Sequence, residues 1–381
     1  MTVDAAVGVI EVASARLQKA AAPVDTREFH TLDGMRGVAA LAVGALHMPS
    51  FTHAVWFGDD GGLQCAFLGV DMFFVLSGFV IAHAYERRIA SGMALPEFLK
   101  LRARRLGPLY FLGVALAIVQ MTSARIVHPN AWSAIDLVLA GLTALLVIPI
   151  PIFGFRQVMY PLNPATWTLL AELLVNALYA RLARWLTTPR LVGLCVVAGL
   201  ALAWVAWRYQ SIDRGIMWVQ FPSGMVRAVF GFFAGVLMLR LYRSRPPKVR
   251  SSGWLWMGLV GALLLAPLRG PWLAPYELFC ALLVFPFLIY GAAGSVLGPL
   301  GQRLCTTAGT VSYALYILHT PLGRLAALIS GIMGWDIAND VGNAALLIII
   351  GVLSWLADAF YDRPVRRWLK RMDRPSRVQP A

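Results

Sequence analysis

An arginine and a histidine stand eleven residues apart in the first long apolar stretch. Arg36 lies in Leu32-Asp33-Gly34-Met35-Arg36-Gly37, and His47 follows an Ala/Val/Leu run. Eleven helical steps of about 100° fall within roughly 20° of three full turns, so the two side chains share a face, about 16 Å apart along the axis. That rise is roughly half a hydrocarbon core. An imidazole at that depth is costly unless it has a task, and in its neutral form it can take a proton from a hydroxyl as a general base. A plainer reading stays open, with Arg36 anchoring a helix end and His47 packed against a neighbouring carbonyl.

Four further clusters carry candidate chemistry. Arg102 and Arg105, in Leu101-Arg102-Ala103-Arg104-Arg105-Leu106-Gly107-Pro108, are neighbours on one helical face just before an apolar run. Two guanidiniums there suit a phosphorylated ligand; snorkelling to the interface is the alternative. Glu172, in Trp167-Thr168-Leu169-Leu170-Ala171-Glu172, has no charged neighbour in sequence and needs a partner such as His47 or an arginine. Ser312, Tyr316 and His319 form a polar stripe at i, i+4 and i+7, which can serve substrate binding or merely bond helices together. Asp71, in Gly69-Val70-Asp71-Met72-Phe73-Phe74-Val75-Leu76-Ser77-Gly78-Phe79, lies near one end of the second apolar run, where an antiparallel partner would bring it toward His47. Ser77-Gly78 reads equally as a functional hydroxyl or a close-packing site.

The elements that must position these groups are apolar helices. The chain has 381 residues, of which 59% are hydrophobic and only 14% charged, against about 25% charged in soluble domains. Mean hydropathy is +0.68. Eleven apolar runs fall near 37–56, 66–84, 108–126, 133–150, 165–181, 190–207, 222–240, 253–267, 275–293, 309–330 and 341–360. The expectation is an all-α, polytopic transmembrane helix bundle. The net charge of +14 concentrates in the 85–107 and 241–251 connectors and the C-terminal tail, the positive-inside pattern; nucleic-acid binding does not explain it. The connectors 57–65 and 331–340, with Asp59, Asp60, Asp336 and Asp340, then face outward. Eleven crossings violate this charge pattern, so about ten spans are expected, with one re-entrant or partial helix between 133 and 181 and both termini cytoplasmic. The segments read as a cytoplasmic lead (1–30), a membrane domain (31–362) and a basic cytoplasmic tail (363–381). Cys65, Cys195, Cys280 and Cys305 form no CxxC pair and read as buried hydrophobes, with no metal site expected.

Together these motifs resemble the acyltransferase-3 family of integral membrane acyltransferases. The matching runs are LDGxRG…H from Leu32 to His47, GVDxFFVLSGF from Gly69, and RxxR-L-x-P from Arg102 to Pro108. W-[ST]-L-x-x-E from Trp167 and SYxxYxxH from Ser312 complete the ordered set. Phe360-Tyr361-Asp362-Arg363-Pro364 resembles the family's closing run with Asp362 in place of Glu, and Thr168 stands where Ser is usual. The resemblance implies transfer of an acyl group, most often acetyl, from acyl-CoA to a hydroxyl of a glycan, glycolipid or secondary metabolite, in a bacterial inner membrane and with no bound cofactor. It implies that His47 holds the catalytic histidine position and that Arg36, Arg102 and Arg105 hold its arginine positions. On this reading Glu172 or Asp71 orients His47, and Ser312, Tyr316 and His319 contribute to substrate binding. A transporter or flippase using His, Glu and Arg as gating groups is the alternative, although no internal repeat of the kind common in transporters is seen.

Overall fold

The computed structural model describes residues 28–53, 63–128, 133–149, 157–248 and 251–372. The expected cytoplasmic lead up to residue 27, the Asp59 and Asp60 connector, and the last part of the basic tail lie outside them. The described residues contain no strand beyond isolated bridges. The chain is an all-α membrane helix bundle, as its composition requires.

Each of the eleven apolar runs corresponds to a helix. These are α1 (His30–His47), α2 (Gly69–Ala90), α3 (Leu95–Val127), α4 (Ala134–Leu145), α5 (Thr166–Leu182), α6 (Thr188–Tyr209), α7 (Phe221–Ser244), α8 (Gly253–Leu264), α9 (Gly270–Ala292), α10 (Pro299–Met333) and α11 (Asp340–Ala357). A π-helical turn, Asp358–Asp362, carries α11 into a basic helix, α12 (Arg363–Met372). Among the described residues, seven helical stretches are long and apolar enough to cross a membrane. The helices α4 and α8 have 12 residues each, or about 18 Å of rise, well short of a hydrocarbon core. Of the two candidates between 133 and 181, α4 is thus the shorter; α5 has 17 residues.

The first run is centred near residue 47, yet α1 ends there and starts at His30. Pro49 has no N–H to continue the ladder; it instead opens a separate turn, Pro49–Thr52. His47 therefore sits at a helix end. Two close helix pairs frame the site, α1 on α10 and α2 on α7. Gly78 makes the second possible. A Cβ there would stand 1.8 Å from the Phe232 carbonyl oxygen, and one on Gly235 would stand 2.0 Å from that of Val75. Gly78 is thus a close-packing position of the small-residue type. All four cysteines are buried and unpaired.

Candidate functional site

Helices α1, α2, α3, α5, α7 and α10 enclose a polar interior divided into two cavities. One, about 200 Å³, is lined by Arg36 of α1, Ser77 of α2, Arg102 and Arg105 of α3, Glu172 of α5 and Ser312 of α10. The other, about 390 Å³, is lined by His47, Asp213, Arg227, His319, Thr320 and Arg324. Val70 and Tyr316 border both. The predicted stripe on α10 therefore runs through the whole site. Ser312 faces the arginine cavity, Tyr316 the waist, and His319 the histidine cavity. The same division holds along α1, where eleven residues carry the chain from Arg36 in one cavity to His47 in the other.

In the arginine cavity each expected arginine has a carboxylate. Arg36 donates to Asp33 at 3.2 Å, Arg102 to Glu172 at 2.6 Å, and Arg105 lies 3.9 Å from Asp362. Ser77 also donates to Glu172, at 3.1 Å. Asp362 is fully buried and is shared with Arg366 of α12 at 2.7 Å, so the aspartate at the glutamate position of the closing run still carries its charge to Arg105. A π-turn of this kind is often found at functional sites. The pairs hold the arginines without exhausting them. Arg102 Nε is buried with no hydrogen-bond partner, and an orphaned buried donor of this kind invites an anionic ligand.

At the waist, Thr168 Oγ1 has one proton, which goes to the Ala165 carbonyl at 2.8 Å. The 3.0 Å contact with Tyr316 is then made by the tyrosine hydroxyl donating to Thr168. Threonine supplies this bond as serine would, so the departure from the usual residue leaves the acceptor in place.

In the second cavity His47 is half-buried, and its Nδ1 lies 2.8 Å from the Val43 carbonyl. A carbonyl only accepts, so Nδ1 carries the proton and the neutral ring keeps its lone pair on Nε2. The His319 ring stands 4.9 Å from it, centroid to centroid. His319 is fixed by the same logic, with Nδ1 donating to the Tyr316 carbonyl at 2.7 Å and Nε2 accepting from Thr320 at 3.1 Å.

The two carboxylates expected to orient His47 are engaged elsewhere. Glu172 is held by Arg102 and Ser77, and Asp71 accepts a two-pronged bond from Arg227, Nε to Oδ1 at 2.9 Å and Nη2 to Oδ2 at 2.7 Å. A carboxylate withdrawn from water takes the strongest cation in reach, and a guanidinium presents a matching fork where a neutral imidazole offers one N–H. The Val43 carbonyl of His47's own helix does the orienting instead.

Four charged residues of this region were not singled out from sequence. Arg227 is fully buried, with Phe67 and Trp167 rings 5.4 and 5.6 Å from its guanidinium carbon. Asp213 faces the histidine cavity 3.7 Å from Arg227. The surrounding protein raises its carboxyl pKa, with Arg227 pulling the other way. Glu277 is buried and accepts from the Ile212 amide at 2.8 Å and Ser211 at 3.2 Å, which fixes the connector carrying Asp213. Arg324 is the fourth. Arg227 and Glu277 sit as lone charges in apolar runs, the signal that marked Glu172. Arg324 carries the same signal as the sole charge of the run 309–330, while Asp213 lies in a connector and carries none.

The family model described as an acyltransferase domain matches residues 29–357. The chain belongs to the acyltransferase-3 family. It is a multi-pass membrane acyltransferase, and the matches lend nothing to the transporter alternative. Among curated relatives it is 36% identical over 189 residues to "Protein 2 in picA locus" of Rhizobium radiobacter, covering 46% of this chain and 92% of the relative. It is 31% identical to the exopolysaccharide production protein ExoZ of Rhizobium meliloti, covering 66% of this chain and 75% of the relative. It is 25% identical to the peptidoglycan O-acetyltransferase OatA of Listeria monocytogenes, covering 88% of this chain and 56% of the relative. No solved structure matches.

Proposed function

We propose that this acyltransferase moves an acyl group, acetyl by preference, from acyl-CoA to a hydroxyl of a glycan, with His47 as general base. The observation that carries the reading is the pair of cavities meeting at Tyr316 and Val70, arginines in one and a correctly tautomeric imidazole in the other. Relatives described as an exopolysaccharide production protein and a peptidoglycan O-acetyltransferase support a glycan acceptor and an acetyl group.

Coenzyme A is a cytoplasmic polyanion. The basic connectors beside the arginine cavity favour the cytoplasmic side under the positive-inside rule, which also leaves both termini inside an inner membrane. Arg36, Arg102 and Arg105 bind its phosphates there. The thioester end passes Tyr316 toward His47. The acceptor hydroxyl enters the histidine cavity and gives its proton to His47 Nε2 as its oxygen attacks the thioester carbon. The new O–C bond forms, the C–S bond breaks, and the imidazolium returns its proton to the leaving thiolate. The Val43 carbonyl holds the ring through both transfers. Arg102 is kept in place by Glu172, a positioning residue on this reading, and Asp71 serves in the same way for Arg227.

The test is acyl transfer by purified His47→Ala protein. Turnover should fall by roughly 10² to 10⁴-fold with folded yield unchanged, because the lost hydrogen bond contributes only about 1 kcal/mol. His319→Ala should be milder, since its Nε2 is already engaged by Thr320. Near-normal turnover in His47→Ala refutes the assignment.

A further inference from the structure

Arg324 is not used by the mechanism above. It lies on α10 beyond His319 and lines the histidine cavity. Its Nη1 donates to the carbonyls of Pro161 and Leu162, each at 3.1 Å. Nη1 has two hydrogens, so both are spent. They tie the guanidinium to the connector that precedes α5 and fix its plane. Nε and Nη2 make no hydrogen bond with the described residues, yet neither is a buried orphan; they remain accessible. Those two nitrogens form the side-on edge of the guanidinium, whose parallel N–H bonds match the two oxygens of a carboxylate or phosphate. No carboxylate among the described residues lies within ion-pair distance of Arg324. Arg36, Arg102 and Arg105 each have one, and Arg227 has two.

Another part of the same lining has the opposite character. Arg227 is flanked by two carboxylates, Asp71 at 2.7 Å and Asp213 at 3.7 Å. Two carboxylates thus meet one guanidinium here, and the Asp213 side chain is 56% exposed. A ligand in this space meets an acceptor of hydroxyl hydrogens in Asp213 and a cationic fork in Arg324, with His47 on the same lining.

We infer that Arg324 is an anion-reading subsite, and that the acceptor is an acidic glycan whose carboxylate or phosphate docks on the Nε/Nη2 edge while its hydroxyls face Asp213 and His47. The inference rests on the proposal that the histidine cavity takes the acceptor. A uronic acid residue and a glycosyl phosphate present the same chemistry to the fork. A neutral glycan would leave the guanidinium unmatched in a partly enclosed site. The charge thus selects among glycans, and it sets the orientation in which a hydroxyl reaches His47.

The test is a binding measurement, which separates it from the catalytic reading. Full-length protein in nanodiscs is titrated with cellobiouronic acid, glucose 1-phosphate and neutral cellobiose, in the presence of saturating coenzyme A so that the arginine cavity is filled. Tryptophan fluorescence reports occupancy, since Trp167 lines the same cavity. At least one acidic sugar should bind roughly tenfold or more tightly than cellobiose, and whichever does identifies the anion as carboxylate or phosphate. Arg324→Gln should abolish the preference and leave cellobiose binding unchanged. Arg324→Lys, which keeps the charge without the fork and guards against a misfolded glutamine variant, should retain only part of it. His47→Ala should keep the full preference while losing acyl transfer. Equal affinity for acidic and neutral sugars, or a preference that survives Arg324→Gln, overturns the proposal. Acidic-sugar binding that depends on Arg324 in a protein showing no acyl transfer to any of the three would count against the acyl-transfer reading and not against the subsite.

Discussion

Exchanging Glu172 for glutamine separates a positioning carboxylate from a bystander. Glu172 lies 2.6 Å from Arg102, and the two side chains are only 24% and 11% exposed. Two unit charges about 4 Å apart at an effective dielectric of 20 attract by about 4 kcal/mol, and breaking one partner of a buried pair costs about 3–5 kcal/mol. Glutamine keeps the shape and can still accept from Ser77, so only the charge is lost. The empty Glu172→Gln protein should therefore lose about 3 kcal/mol of stability, and its thermal unfolding in nanodiscs should shift down. Coenzyme A should then restore much of the loss. If donor phosphate meets Arg102, the phosphate supplies the missing negative charge and no longer competes with Glu172 for it. A recovery of about 1.4 kcal/mol corresponds to a tenfold tighter donor Kd, and donor should raise the unfolding temperature of the variant more than that of the wild type. Calorimetric titration with coenzyme A measures the first quantity and a melting series the second. A variant as stable as wild type, or one that binds donor more weakly, refutes the claim that Arg102 is a phosphate ligand held by Glu172.

Other expectations follow from the same contacts. Asp71→Asn strands a fully buried guanidinium and should cost about 3–5 kcal/mol, while the double change Asp71→Leu with Arg227→Met should recover most of it in the same melting assay; equal damage in single and double variants would show that the pair's charges are not the issue. Gly78→Ala drives a methyl into the Phe232 carbonyl and should cost about 3 kcal/mol or more, at the upper end of overpacking penalties, seen as collapsed folded yield; normal yield would mean α2 and α7 are not held this close. Thr168→Val removes the acceptor for the Tyr316 hydroxyl and should lower turnover while Thr168→Ser restores it; a fully active valine variant removes that bond from the mechanism. Single cysteines at Ser91 and Ala338 should label from opposite faces of the membrane, and labelling from one face would overturn the positive-inside assignment.

The amino-acid sequence by itself determined that the chain is a helical membrane protein and where its helices lie. Apolar runs of this length have no other stable form in lipid, because every backbone polar group must be satisfied within the segment. Eleven-residue spacing was enough to set Arg36 and His47 along one helix, and the i, i+4, i+7 stripe set Ser312, Tyr316 and His319 along another. Both are local consequences of helical geometry. Pairing is not local, and there the tertiary structure decided. Glu172 needed a cation, and the packing of α3 against α5 supplied Arg102 instead of His47. Asp71 needed one too, and α7 supplied Arg227 from 156 residues away. Nothing in the spacing of these residues could tell which of several buried cations each carboxylate would meet. Asp213 stands in a connector, where charges are ordinary, and Arg324 is a charge within α10 whose surroundings the spacing does not reveal; only the tertiary packing brought both to the lining of one cavity. The partition of the interior at Tyr316 is likewise a property of several helices together, since no single one encloses a cavity.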